Sequence, residues 1–503
     1  MMKLCSLLRI TDEPSGTVGK KLLYHLSLDA TFSFICQGLP ANSCAKFLEV
    51  LSAPLVKEED ISYRREILHD FTKNLDLLDR MAQSLSDFEQ SKQAFHELKK
   101  EIHARNFGIR STLGGSRESV REGAEILLRM LDHVKRLREV LDLYPLSSRG
   151  LSALARELRQ LTCHQEFGHL NAILQWVEQM CLPMSPAIAL ALNQSGRIVG
   201  CHLTEPFLSV SATDTENKTK KRFLLNKPSS RSLDVGDKKE ANQNIHLNPP
   251  VIHSDCQSKI RAYPYLEMEA LLTSLMAGIV DHMGALYQEL RFYFVAREYI
   301  TFLQTKKVPY TYPNLGEQSA FQDMRDLRLL TEGVENVVPN HYCPFDKDGA
   351  LLFGDNGNGK TVFLRSIMSC QLLAQAGLPI PAHHGTVKLY ASLQTQFAES
   401  EEPRAAQKQM GRFEQEVQEL SSIIESMPAG SLLILNEIFQ TTAYAEGAVG
   451  LYYILRYLTE KRVDWIAVTH LTDLRAIFHG QGKGRVVMYE MTREHRAFML
   501  DQH

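Results

Sequence analysis

The chain has 503 residues, 44% hydrophobic and 23% charged, a globular composition with length for about three domains. A formal net charge of -3 excludes a globally basic nucleic-acid binder, so any contact with a phosphate backbone must come from local patches. Nine cysteines without a C-x-x-C pair speak against a zinc ribbon or disulfide scaffold. The first residues hold too short an apolar run for a signal peptide, and no stretch approaches the ~18 apolar residues of a membrane span. The expectation is a cytoplasmic protein with no membrane partner.

Residues 1–194 read as a helical core. In Leu51-Ser-Ala-Pro-Leu-Val-Lys-Glu-Glu-Asp-Ile61 a proline precedes a cluster of acids, which predicts a helix capped by Asp60 and continuing through Arg64, Ile67 and Phe71. Gly108 to Gly115 marks a break. From Ser116 to Leu143, Ile126, Leu127, Met130, Leu131, Val134 and Leu137 share one helical face. Arg117, Arg121, Arg129, Lys135, Arg136 and Arg138 fill much of the remainder, as a solvated face or as a DNA contact. A helical pair follows from Leu151 to about Met180. Near Pro183 the pattern changes, and Ile198–Thr204 and Pro206–Ser211 read as short strands. Residues 213–248 are polar and lysine-rich (Lys218, Lys220, Lys221, Lys227, Lys238, Lys239), either a flexible surface insertion or a basic tip that touches phosphates.

The longest helical signal runs from Tyr263 to Lys306. Met268, Leu272, Leu275, Ile279, Met283, Leu286, Leu290 and Tyr293 recur every three or four residues, which suggests extended lever helices over 261–310. Pro309 and Pro313 end the pattern. Residues 311–503 read as an α/β domain. Ala350-Leu-Leu-Phe353 is an apolar run suited to a buried strand, and Val362, Phe363, Ile367, Met368 and Leu372 recur at helical spacing after it. Between them stands Gly354-Asp355-Asn356-Gly357-Asn358-Gly359-Lys360-Thr361, the G-x-x-x-x-G-K-[ST] phosphate loop. Its glycines let several backbone N–H groups converge at a helix N-terminus. Lys360 is placed to reach the β- and γ-phosphates of ATP, and the Thr361 hydroxyl to sit on Mg²⁺.

Two further apolar strands, Ser431–Asn436 and Asp464–Val468, close on polar residues. P-loop ATPases end the first of these in an aspartate that helps hold Mg²⁺, and a glutamate that follows activates the attacking water. Here Asn436 takes the aspartate position and Glu437 remains. A neutral amide holds Mg²⁺ less firmly than a carboxylate, which predicts ATP binding with slow hydrolysis. His470, at the end of the next strand, is positioned to sense the γ-phosphate.

The run from Gly354 to His470 resembles the ATPase domain of the MutS family of DNA mismatch-repair proteins. The family loop G-P-N-M-G-G-K-S-T is matched by G-D-N-G-N-G-K-T-V, and L-A-Q-x-G-x-F-V-P-A by Leu373-Ala-Gln-Ala-Gly-Leu-Pro-Ile-Pro-Ala382. Leu432–Glu437 falls where the family has its D-E-I strand end, and Thr469-His470 matches its T-H pair. Upstream, Leu51-Ser-Ala-Pro-Leu with Arg64 and Arg65 resembles the start of the helical core, and Val338-Pro-Asn340 the V-P-N-D segment. The resemblance implies a multidomain fold: a mainly α-helical core and lever region, a small β-containing clamp near 195–260, and an α/β P-loop NTPase (ABC-like) domain. It also implies a homodimer that binds ATP and Mg²⁺ and clamps duplex or branched DNA without reading mismatches. Phe47-Leu-Glu49 matches the family's F-x-E wedge in letters only, because it sits inside a helical run. Gly411-Arg-Phe-Glu-Gln-Glu416 keeps the Phe and Glu of the trans-acting S-T-F-x-x-E signature but not its serine. The adenine-stacking aromatic before V-P-N is replaced by Val337, with Tyr342 a weak substitute. These departures leave open a second reading, an ATP-driven conformational switch acting on protein partners.

Overall fold

The computed structural model describes residues 5–11, 14–107, 115–179, 188–192, 198–203, 233–234, 254–344, 349–397, 412–439, 444–480 and 486–500. The expected strand at 206–211, the lysines of 213–248, the break at 108–114 and Gly411 lie outside these. The chain is multidomain, with helices and mixed sheets. In order, the elements are β1 (Thr17–Val18), α1 (Leu22–His25), α2 (Leu28–Ile35), α3 (Ser43–Leu51), α4 (Glu58–Lys73), α5 (Leu77–Phe107), α6 (Gly115–Asp142), α7 (Arg149–Cys163) and α8 (Gln165–Gln179). Then come β2 (Ile188–Leu192), β3 (Ile198–Leu203), β4 (Leu233–Asp234) and the long α9 (Ser254–Thr305). They are followed by β5 (Asn314–Leu315), β6 (Ala320–Met324), α10 (Leu327–Thr331), β7 (Asn340–Tyr342), β8 (Gly349–Phe353), α11 (Lys360–Gln375), β9 (His384–Val387) and β10 (Ser392–Phe397). The last are α12 (Arg412–Ser426), β11 (Ser431–Asn436), α13 (Tyr444–Glu460), β12 (Val463–Val468), α14 (Asp473–Gly480), β13 (Val486–Met491) and β14 (Ala497–Met499).

Two compact units are each assembled from separated stretches. The first comprises Ser86–Arg136 and Gln160–Asp281. Within it α6 buries Ile126, Leu127, Met130, Leu131 and Val134, the stripe its periodicity predicts, and β2, β3 and β4 form an antiparallel sheet. Its basic face is partly neutralised along the helix: Arg121 pairs with Glu125 at 3.1 Å and Arg136 with Asp132 at 3.0 Å. Such i,i+4 pairs are what a solvated helix face carries.

The second unit comprises Met2–Leu85, Leu137–Arg159 and His282–His503. Its main sheet runs β1-β10-β11-β12-β8-β13-β14, parallel throughout except for the antiparallel β14. Strands β8 and β11 are buried at every residue, as expected where both faces of a parallel sheet are covered. On one face Leu351, Leu433, Leu435 and Trp465 pack with Leu420 of α12, Leu451 and Leu455 of α13, and Leu474 of α14. Truncating any one of these leucines to alanine would cost roughly 2–5 kcal/mol. Nearly the whole of α11 is buried as well. A second sheet, β5-β9-β6-β7, completes the unit.

An N-terminal strap ties the helices of this unit to the sheet. Glu289 of α9 accepts hydrogen bonds from Ser6 Oγ (2.7 Å) and Leu7 N (2.6 Å), and Arg64 Nε donates to Leu8 O at 2.5 Å. Asp60 accepts from Ile10 N, Thr11 N and Thr11 Oγ1 at 2.8, 3.0 and 2.5 Å. The chain then reaches β1, which pairs in parallel with β10. This corrects the expected role of Asp60. Helix α4 begins earlier, at Glu58 after an extended Lys57, because Glu58, Glu59 and Asp60 together make an acidic first turn. Asp60 serves the strap rather than a helix end. Phe47 is fully buried in α3, with Phe292 stacked on it at 5.4 Å, so it is a core residue and no wedge.

Candidate functional site

The phosphate loop is the turn between β8 and α11, at the C-terminal edge of the main sheet. Gly354 and Gly359 have φ of +140° and +93°, conformations that L side chains rarely adopt. Space makes the same demand at Gly354, where a Cβ would lie 2.8 Å from the carbonyl of Met491. Lys360 opens α11 and folds back over the loop, donating to the carbonyls of Gly354 and Asp355 at 3.0 Å each and to Asn356 Oδ1 at 3.4 Å.

The ends of β11 and β12 bring the other residues singled out in the sequence to the same place. Asn436 pairs with Val468, and the N–H of Glu437 bonds to the carbonyl of Val468. Glu437 has φ +54°, a left-handed backbone that turns its carboxylate out of strand register. Its Oε1 lies 3.2 Å from Lys360 Nζ and 2.9 Å from His470 Nε2. A carboxylate only accepts, so the imidazole carries its proton on Nε2. Thr361 Oγ1 is 3.5 Å from Asn436 Oδ1. Lys360 is 3% exposed along its side chain and Glu437 21%, so their ion pair is largely shielded from solvent.

Several bonds that brace the site join residues far apart in sequence. Asn358 Nδ2 donates to Met491 O at 3.2 Å, and His495 Nδ1 donates to Asn358 O at 3.0 Å. Asn340, the last residue of Val-Pro-Asn, donates to His495 O (3.0 Å) and accepts from Ala497 N (2.9 Å). The β13–β14 hairpin is thereby clamped against the loop. Glu416 of α12 accepts from the N–H of Phe439 at 3.0 Å, fixing the turn after Glu437. Tyr342 does not offer a ring to a base. It is buried between Phe363 and Tyr489, and desolvation pushes its hydroxyl well above the usual phenol range. Val337 is also buried.

The donor set suits a hard cation beside a triphosphate. Thr361 and Asn436 present neutral oxygens 3.5 Å apart, and the carboxylate of Glu437 follows Asn436 directly in the chain. No group of three or more His, Cys, Asp or Glu side chains able to hold a metal on their own occurs among the described residues. Nor is any described helix long and apolar enough to cross a membrane.

Comparison with known proteins places this region. Residues 350–502 match the model of MutS domain V. Endonuclease MutS2 of Streptococcus sanguinis (strain SK36) is 30% identical over 166 residues, 33% of this chain and 21% of that protein. Endonuclease MutS2 of Maridesulfovibrio salexigens is 29% identical over 214 residues, 42% of this chain and 27% of that protein. The chain therefore spans between a fifth and just over a quarter of these relatives' length.

Proposed function

Because the chain belongs to the MutS family, we propose that it binds ATP at Gly354–Thr361 and couples binding and slow hydrolysis to clamping on DNA, in repair or recombination. The observation that carries this reading is the convergence of Lys360, Thr361, Asn436, Glu437 and His470 at the C-terminal ends of adjacent strands. In this reading residues 1–194 serve as core, 195–260 as clamp, 261–310 as lever and 311–503 as ATPase, acting as a homodimer.

The chain's own groups divide the work. Backbone N–H groups of the loop and the N-terminus of α11 receive the phosphates. Lys360 exchanges its contact with Glu437 for the β- and γ-phosphate oxygens. Glu437, released from Lys360 and steadied by His470, takes the proton of the attacking water. Mg²⁺, held by Thr361 and Asn436, would neutralise phosphate charge. Asn436 contributes no negative charge there, which favours a long-lived ATP state over fast turnover.

Replacing Lys360 with alanine is expected to abolish binding of a fluorescent ATP analogue while far-UV circular dichroism stays unchanged; retained affinity would refute the phosphate-cradle assignment. DNA clamping is tested by titrating homoduplex, mismatched and branched DNA with and without ATP. Absence of binding at low salt would remove the DNA half of the proposal. The near-neutral charge and the ion-paired basic face of α6 favour a second reading, a switch acting on protein partners. A partner held without DNA and released by ATP would select it.

A further inference from the structure

Arg475 stands apart from the groups already assigned. It lies in the first turn of α14, five residues after His470, and the intervening turn is tight: Leu471 N bonds to Thr469 Oγ1, Leu474 N to Leu471 O and Arg475 N to Thr472 O. Its guanidinium carbon sits 4.3 Å from the ring centre of Phe353, the last residue of β8 and the one directly before Gly354. Its Nη2 is 3.3 Å from Glu490 Oε2, and Glu490 is the β13 residue in register with Phe353. Its Nε is buried without a hydrogen-bond partner among the described residues. The cation gains from the aromatic face, whereas its unpaired buried Nε is a cost that a residue only filling space would not need to carry.

We propose that Arg475 is a positioning residue that links the His470 turn to the root of the phosphate loop, so that nucleotide arrival at one shifts the other. A change at Gly354–Lys360 reaches Phe353 through the backbone, Phe353 carries the guanidinium, and the guanidinium carries the start of α14. Further along the same helix, Phe478 packs against Trp465 of β12 with ring centres 6.2 Å apart. A displacement of α14 is therefore visible at an indole. The chain has two tryptophans, Trp176 and Trp465, so Trp176→Phe leaves that single reporter.

The proposal rests on the nucleotide reading above, and its test separates the two. In the full chain carrying Trp176→Phe, non-hydrolysable ATP analogue with magnesium is expected to change Trp465 emission. Adding Arg475→Met, which keeps the apolar stem but removes charge and donors, is expected to abolish that change while analogue affinity, measured by calorimetry, stays within about twofold. Arg475→Lys keeps a cation over Phe353 and beside Glu490, and is expected to restore most of the signal. If the parent protein binds no analogue, the nucleotide reading itself falls. Where the parent binds, three outcomes overturn the link alone: no emission change in the parent, an undiminished change in Arg475→Met, or loss of affinity together with the signal in a folded Arg475→Met protein.

Discussion

Lys360 at 3.2 Å and His470 at 2.9 Å both engage the carboxylate of Glu437. An incoming triphosphate must take Lys360 from it, so the ion pair opposes binding. Glu437→Gln should therefore raise ATP affinity by roughly tenfold, the scale of one charge-assisted hydrogen bond, while hydrolysis is lost. Calorimetric titration and phosphate release check the two halves separately. Asn436→Asp tests the neighbouring position: a carboxylate beside Thr361 should raise turnover by on the order of tenfold, and an unchanged rate would show that charge at this position does not limit the reaction. The loop residues and the two strand ends were legible in the sequence because glycine spacing and apolar runs are local signals. His495 and Arg475 were not, and the motifs that hold Asn340 and Glu416 did not reveal their bonds to His495 and Phe439, since all these partners lie 15 or more residues away in sequence. Tyr342 misled for the same reason: its type suits stacking, but Phe363 and Tyr489 enclose it.

Among the elements, the strap is tied to α4 through the carboxylate of Asp60. Burial alone would raise the pKa of Asp60, but the donors from Thr11 and Ile10, with Arg64 nearby, outweigh it and hold the group below its ordinary 3.8. A folded value below the unfolded one means stability that is fully present above pH 3.8 and lost as pH falls through the folded value. Asp60→Asn is expected to cost about 1–2 kcal/mol at neutral pH in urea unfolding and to lose stability less steeply in acid than the parent. The phosphate-loop helix has a similar dependence on a buried pair. Arg365 Nε lies 3.1 Å from Asp326 Oδ2, the two side chains 9% and 3% exposed, and Asp326 also caps α10 by accepting from Leu329 N. Arg365→Met leaves that carboxylate without its counter-charge and should destabilise the protein by roughly 3–5 kcal/mol. Helix periodicity foretold α4, α6 and much of α9, but no pattern over a dozen residues foretells that residues 5–11 are held by Asp60 and Glu289.

For the whole molecule, DNA binding and assembly belong together. If clamping relies on local basic patches, affinity should fall with salt at a logarithmic slope near 0.9 per phosphate contacted, and a slope near zero would exclude a backbone-tracking clamp. Sedimentation with and without ATP analogue should show a shift toward the dimer. A multidomain chain of helices and mixed sheets was legible, because helical patterns and apolar strand runs occupy different parts of the sequence, but its length suggested about three domains where two compact units form. Nor did the sequence show that each compact unit gathers residues from distant stretches, with Met2–Leu85 grouped with His282–His503. That grouping has a practical consequence. Strand β1 covers the start of the outer rim of β10, at Ser392 and Leu393, next to the strand that ends in Asn436. Cutting away residues 1–19 would leave the carbonyls of Ala391 and Leu393 without their partners and lengthen the open edge of β10, and the shortened protein would be prone to stack on its own copies and precipitate, a tendency that light scattering during purification would register at once.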